Sequence, residues 1–456
     1  MLDAGCVSHP DRVALIDGDR SWTWSALDRA VALVASEIKP GAPTQWALEN
    51  SAEQVIGVLA TLRARGIWLA YRDDDSAIAN AAIDEALDGL SNYEPGPLAP
   101  AVVMATSGTT GEPKLVVHSQ HSLLGPGLVS VELEPPLPDE RLGTPLDLGN
   151  ANIFMLGPLS ALLRGSTFVV LPSRFAPTLA ADIARYCITR LFAVPALAYD
   201  LVESSEVHPE QLASLQRMIL GGSGADPDLL RRFSEQFGVR PTLSYGMSEA
   251  PTGVVRESLD DPIGSGRGFP LPHVELEIRD PQGQPVPVGV EGEICLRPAQ
   301  AGTWAHTWTG TLGYLGGPSR TAELFRDGVL HTGDHGRLDH DGALTVTGRL
   351  SDLIIRGGTN VDPRALEAAA RSVEHVTDAA AIGIDDERLG QIVAVACVAA
   401  TTESAVLSSM NSEGLAKVSG VPVDMVAVVD QIPRNEMGKV DQSALAAIFK
   451  ADEHPN

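Results

Sequence analysis

Apolar and polar positions change in short blocks along the chain. VALIDGDRSWTW reads as a strand, a DGD turn and a second strand, and the SALDRAVALVASEI that follows has helical spacing. EQVIGVLATLRARG (53–66) predicts a second helix closed by glycine. Residues 75–95 are polar with helical spacing, and the apolar strand AVVMAT then enters a loop rich in Gly, Ser and Thr. From 150 to 240, helix and strand patterns alternate: FMLGPLSALL, STFVVLP, ADIARYCI, RLFAVP, RMILGGS, PDLLRRFSEQFG. That is the order of an α/β protein. Residues 270–347 are strand-rich, with turn signals at DPQGQPVPVG and DHDGAL. The pattern restarts near 350 with DLIIRGG, ALEAAARSV, AAAIGI, QIVAVACVAA and VAVVDQIP, a second unit of about one hundred residues. Within it, TTESAVLSSMNSEG reads as a loop-and-helix connection. The expected division falls between Arg349 and Asp352, giving an N-terminal domain over 1–350 and a C-terminal domain over 351–456. The first combines α/β subdomains with a strand-rich subdomain; the second is a small α+β unit.

Composition narrows the function more than the fold. The 456 residues are 44% hydrophobic and 20% charged, as in globular proteins, and the net charge is −26. Such an acidic chain repels phosphate backbones, which speaks against a nucleic-acid role. No apolar run reaches the length of a membrane span, and MLDAGCVSHPDR lacks a basic segment followed by an apolar one, so a cytoplasmic protein with no membrane partner is expected. Cys6, Cys187, Cys295 and Cys397 are far apart and form no CxxC pair, which argues against a zinc site and a disulfide framework. Cys295 and Cys397 lie in strand-like runs and read as buried, inert thiols. Only five of the 33 basic residues are lysines: Lys39, Lys114, Lys417, Lys439 and Lys450. Lys114 (GEPK) and Lys439 (MGK) fall in glycine-containing stretches, where a compact point charge or plain surface placement both fit.

Four stretches can carry chemistry. In TSGTTGEPK, Gly108 and Gly111 allow backbone N–H groups to turn inward, Thr106, Ser107, Thr109 and Thr110 supply hydroxyls, and Lys114 supplies charge. A polyphosphate cradle and a flexible linker both answer to this composition. In LSYGMSEA (243–250), a strand ends at Tyr245, whose ring can stack on a flat partner. Glu249, next to Ser248, suits a Mg2+ ion bridging phosphates, or else faces solvent at a strand end. In HTGDHGRLDHDGALTVTGRLSDLIIRGGTNVDP, Asp334 follows a TG turn; it can accept from ribose hydroxyls or cap an Asx-turn. Arg349 follows a strand and a glycine, where a surface ion pair is the plain alternative. In IPRNEMGKVDQSAL, Lys439 precedes a short helix and is otherwise a solvated lysine.

Taken in this order, the four stretches resemble the ANL superfamily of adenylate-forming enzymes: acyl- and aryl-CoA synthetases, peptide-synthetase adenylation domains and luciferases. HPDRVALIDGDRSWTWSALDRAVALVA, LGGSGADPDLLRRF and IGIDDERLGQIVAV also look like family segments, so the resemblance covers nearly the whole chain. It implies that ATP·Mg2+ and a carboxylic acid give an acyl-adenylate and pyrophosphate, after which the acyl group passes to the thiol of CoA or of a carrier-protein phosphopantetheine. On matching positions, Thr106 to Lys114 would hold the β- and γ-phosphates, and Gly222 and Ser223 would lie against adenine and acyl group. Tyr245 would stack on adenine in the segment shared with Gly246 and Met247; Ser248 would contact the α-phosphate and Glu249 would bind Mg2+. Asp334, helped by Arg349, would hold the ribose, and Lys439 would bridge the α-phosphate and the attacking carboxylate. The family's C-terminal domain is mobile and turns about an Asp or Lys two residues after the motif Arg; here that position is Ser351, followed by Asp352.

GGTNVDP (357–363) is closer to the variant of acyl- and aryl-CoA synthetases than to that of peptide synthetases. The substrate segment departs from both, reading TPLDLGNANIF. Asp147 within it either pairs with a substrate amine, which would suit an amino-acid-adenylating enzyme, or caps a turn. The stretch before the phosphate loop is short for the family. No phosphopantetheine-serine motif follows Lys439, so any carrier protein is expected to be separate. The missing PLFH histidine and Ser351 also leave room for a non-thiol acceptor, and a non-catalytic nucleotide-binding protein would have lost residues that are all present here.

Overall fold

The computed structural model describes residues 2–46, 50–71, 98–106, 114–349, 354–356, 359–361, 363–386, 388–411, 421–434 and 440–451. The predicted helix over 75–95 lies outside them. By its internal contacts the chain forms two compact units. The first comprises Met1–Glu277, Cys295–Thr332 and Gly342–Leu344; the second comprises Ile278–Ile294, Gly333–Asp341 and Thr345–Asn456.

The first unit is built on two sheets. In one, strands follow the spatial order Arg267–Pro270, Ala250–Glu257, Pro241–Met247, Arg217–Leu220, Arg190–Ala193, Arg141–Thr144, Thr167–Val170, Val13–Asp17, Arg20–Thr23. From Pro241–Met247 to Val13–Asp17 every pairing is parallel. The helices Ala176–Tyr186, Pro195–Glu203 and Pro227–Phe237 connect successive strands, as the alternating pattern required. Their ends follow local rules: proline opens each first turn, and Gly238 (φ 69°) closes the last helix in the left-handed region. The chain leaves Arg141–Thr144 for Thr167–Val170 on one side and returns as Arg190–Ala193 on the other. Such a reversal of direction opens a crevice beyond the carboxyl ends of the two diverging strands.

The second sheet of this unit is five-stranded, in the order Gly313–Tyr314, Lys114–Ser119, Pro100–Thr106, Ile67–Ala70, Pro43–Thr44. Ile67, Val103, Leu115 and Val117 form a buried cluster on it.

In the second unit a five-stranded sheet is formed by Thr359–Val361, Ile354–Arg356, Gly390–Ala399 and Val376–Asp386, with Met425–Val428 parallel to Gly390–Ala399. Alternate residues of the central strand serve different cores. Val393, Val395 and Cys397 pack with Leu366 and Val406; Ala394 and Ala396 pack with Leu445 and Phe449. Helices cover both faces, which is why VAVACVA is apolar without alternation. The first unit has the expected α/β order, and the second, whose sheet is antiparallel except for Met425–Val428, is the expected α+β unit. Cys295 and Cys397 are fully buried as read, and burial pushes the Cys397 thiol up to about 11. No helix among the described residues is long and apolar enough to cross a membrane.

Candidate active site

The carboxyl edge of the parallel sheet gathers several of the residues singled out by sequence. Strand Arg217–Leu220 runs out into Gly221 and Gly222; Gly222 has φ +86°, a conformation that disfavours a side chain, and it faces Val194 at the end of the neighbouring strand. Gly222 and Ser223 are exposed. On the other flank, Arg141–Thr144 leads to Asp147. The Asp147 carboxylate accepts from the Gly149 N–H at 2.8 Å, the geometry of a turn cap, and Asn150 then caps the helix Ala151–Phe154. Asn50 fixes this connection by donating to the Leu146 carbonyl and accepting from the Leu148 N–H, both at 2.9 Å.

The third strand end differs from the sequence expectation. Pro241–Met247 continues two residues past Tyr245 and turns back at once as Ala250–Glu257, so Ser248 and Glu249 are the tip of a tight hairpin. Gly246 makes that hairpin possible. A Cβ on it would sit 2.9 Å from the Gly253 Cα on the opposite strand, closer than folded chains tolerate. Tyr245 pairs with Val255 and is partly exposed, as is Met247.

The tip is fastened from several directions. His118 Nε2 lies 2.7 Å from the Ser248 carbonyl, and its Nδ1 lies 3.2 Å from Ser122 Oγ. The ring is fully buried, and burial pushes its pKa down to about 4 against the pull of the Ser248 carbonyl. A neutral imidazole with one N–H fits this, with Nε2–H donating to the carbonyl. Asn152 Nδ2 approaches Ser248 Oγ at 3.5 Å. The Thr311 N–H donates to the Glu249 carbonyl at 2.8 Å, and the Tyr314 hydroxyl donates to Glu249 Oε1 at 2.7 Å. Glu249 is only 8% exposed, so its carboxylate is presented by the protein rather than by solvent.

Lys114 joins the same group. It opens the strand Lys114–Ser119 and pairs with Thr106 at the end of Pro100–Thr106, so these two residues form the base of the Gly-rich loop. Its Nζ stands 5.4 Å from the centre of the Tyr314 ring, within the range of a cation–π contact. A positive charge, a phenol and a carboxylate thus lie in series, beside a hydroxyl at Ser248. Carboxylate and hydroxyl oxygens are the hard donors that Mg2+ prefers, so the set fits that ion.

Asp334 belongs to the second unit. Thr332 and Gly333 do not form the expected turn. They lie inside the ten-residue strand Val329–Leu338, where Gly333 (φ 70°) donates its N–H to Glu293 Oε1 and Asp334 is buried. Arg349 ends the strand Leu344–Arg349, and its side chain lies outside the description, as does that of Thr106. Ser107, Gly108, Thr109, Thr110, Gly111, Ser351 and Lys439 are outside the described residues. Sequence reasoning missed His118, Asn152, Thr311 and Tyr314. Nothing in LVVHS or TLGYLGG marks His118, Thr311 or Tyr314, because each acts through a contact made across the fold.

The comparisons agree with this architecture. Residues 70–302 match the AMP-binding enzyme family, and residues 365–439 match the AMP-binding enzyme C-terminal domain. A medium/long-chain fatty-acid–CoA ligase of Mycobacterium tuberculosis is 30% identical over 82% of this chain and 66% of its own length, so the chain spans less than two thirds of that relative. Among solved structures, the amide bond synthetase McbA from Marinactinospora thermotolerans superposes with a TM-score of 0.81 at 26% identity, covering 96% of this chain and 97% of that one. The o-succinylbenzoate CoA synthetase of Bacillus subtilis, in complex with its acyl-adenylate intermediate, gives 0.80 at 25% identity, with 97% of both chains covered. The chain therefore belongs to the AMP-binding, adenylate-forming enzyme family.

Proposed function

We propose that this protein is an AMP-forming acid–thiol ligase. It would activate a carboxylic acid with ATP to an acyl-adenylate, release pyrophosphate, and pass the acyl group to CoA or a carrier-protein phosphopantetheine, with CoA the favoured acceptor. The observation that carries the reading is the series Lys114–Tyr314–Glu249 at the base of the Gly-rich loop, in a chain of this family.

Two anions must meet in such a reaction, so the protein's task is positioning and charge neutralisation. The loop from Thr106 to Lys114 would bind the β- and γ-phosphates, and Glu249 with Ser248 would hold Mg2+ against them. A Mg2+ ion bound there supplies positive charge to the phosphates as pyrophosphate leaves. Gly222 and Ser223, on an exposed turn at the sheet's carboxyl edge, would let adenine approach the backbone, with Tyr245 stacking on it. Asp334 and Arg349 would orient the ribose. Lys439, in a C-terminal domain over 351–456 that turns near Ser351, would bring acid and α-phosphate together. A carboxylate is already nucleophilic at neutral pH, so no general base is required.

The test is pyrophosphate release from ATP·Mg2+ across aryl, fatty, short polar and amino acids, with hydroxylamine trapping the activated acid. A hit followed by thioester formation on adding CoA is the expected result. A trapped hydroxamate without thioester formation when CoA replaces hydroxylamine would replace the acceptor; an amine would be tested next, McbA being named an amide bond synthetase. Failure to bind ATP at all would refute the reading.

A further inference from the structure

Tyr314 has no part in the roles assigned above, yet it touches both charged residues of the phosphate end. Its hydroxyl donates to Glu249 Oε1 at 2.7 Å and its ring underlies Lys114 Nζ at 5.4 Å. The segment carrying it is stitched to the same two elements. Thr311 donates through its N–H to the Glu249 carbonyl and through Oγ1 to the Val117 carbonyl at 2.6 Å. Tyr314 pairs with Val116, and its N–H donates to Thr321 Oγ1 at 2.9 Å. The phenol is therefore held in place, not simply lodged against its partners. A phenol of ordinary acidity is protonated at neutral pH, and this one donates to the carboxylate.

We infer that Tyr314 is the positioning residue that couples the loop lysine to the Glu249 carboxylate: its hydroxyl fixes one oxygen of the carboxylate that would hold Mg2+, and its ring holds the Lys114 ammonium that would meet the phosphates. This rests on the reading of Glu249 as the Mg2+ residue. Hydrogen-bond partners of metal-binding carboxylates orient the ligand, and losing one typically weakens metal binding by about 10- to 100-fold. A buried carboxylate that loses its donor would also have one oxygen unsatisfied.

The test is ATP binding to the full chain by calorimetry, with Mg2+ and with EDTA. Tyr314→Phe removes one oxygen and keeps the ring. The expected result is affinity for ATP weakened about tenfold or more in Mg2+ and changed less than about twofold in EDTA, with the Mg2+ midpoint raised to match. Tyr314→Leu, which also takes the ring from under Lys114, is expected to weaken binding in EDTA too. Equal losses of Tyr314→Phe in both conditions, or none in either, would overturn the proposal. Glu249→Gln alone and with Tyr314→Phe gives an independent arm. The two losses must not add if the phenol works through the carboxylate, and additive losses would overturn it. Unaltered protein that binds ATP equally with and without Mg2+ would refute the Glu249 reading itself, and the role of Tyr314 with it.

Discussion

Single side chains divide here into those that would touch the reacting groups and those that hold them. Lys439 is proposed for the first class. Lys439→Ala is expected to lower adenylate formation by about 10²- to 10³-fold, the usual cost of removing a charge that acts in the transition state. Transfer from a supplied acyl-adenylate to CoA should stay within a few-fold. Parallel stopped-flow measurement of the two steps checks this, and equal losses would refute the division of labour. His118 belongs to the second class. It is buried and neutral, and its contact is with the backbone at Ser248 rather than with any group that would react. Candidate reactive residues were legible in the sequence because phosphate and metal chemistry needs Gly, Lys and carboxylate at short spacing. Their supports were not, since His118 and Tyr314 stand 130 and 65 positions from the residues they hold.

The elements make the same division spatially. In the parallel sheet, Val194, Gly221 and Asp147 follow carboxyl ends, whereas Glu140, Arg190 and Arg217 stand at amino ends. That amino edge is clamped by charge. Glu140, whose side chain is wholly buried, accepts from Arg164 at 2.7 Å, from Ser166, and from Arg190 at 2.9 Å. Glu134 then bridges Arg190 and Arg217 at 3.0 and 2.9 Å. Burial opposes the ionised form of Glu140, yet Arg164, Ser166 and Arg190 together hold its pKa below the ordinary range. Removing one member of such a group leaves a buried charge uncompensated. Glu140→Gln should therefore destabilise the fold by about 3 kcal/mol or more, read from the urea midpoint. ATP affinity at the far edge should not change. A variant as stable as the parent, or one folded but unable to bind ATP, would refute this separation. The helices and strands of this sheet were predictable from periodicity. The hairpin at Ser248–Glu249 was not, because the closeness that makes Gly246 necessary comes from Gly253 on the returning strand.

For the whole molecule, buried neutral histidines set a pH limit. His118 and His273 are both buried, and burial lowers each pKa to about 4. Below about pH 6.5 the unfolded chain takes up protons that the folded chain refuses until pH about 4. Stability from these groups is therefore full above about pH 6.5 and falls as the pH drops towards 4, by up to about 3 kcal/mol each. Urea titrations across that interval should show the decline. His118→Gln should reduce it by about half, leaving the part due to His273, and an unchanged slope would refute the assignment.

The sequence by itself determined the class of fold, the family and the residues that bear charge. Those properties are carried by local periodicity and by short motifs whose chemistry depends on neighbours along the chain. Tertiary structure decided the rest. It turned SYGMSEA into a hairpin tip, put Thr332–Gly333 inside a strand, and set Tyr314 between Lys114 and Glu249. Each depends on a partner distant in sequence or on the geometry of a whole sheet, and neither composition nor spacing along one strand records where that partner will stand.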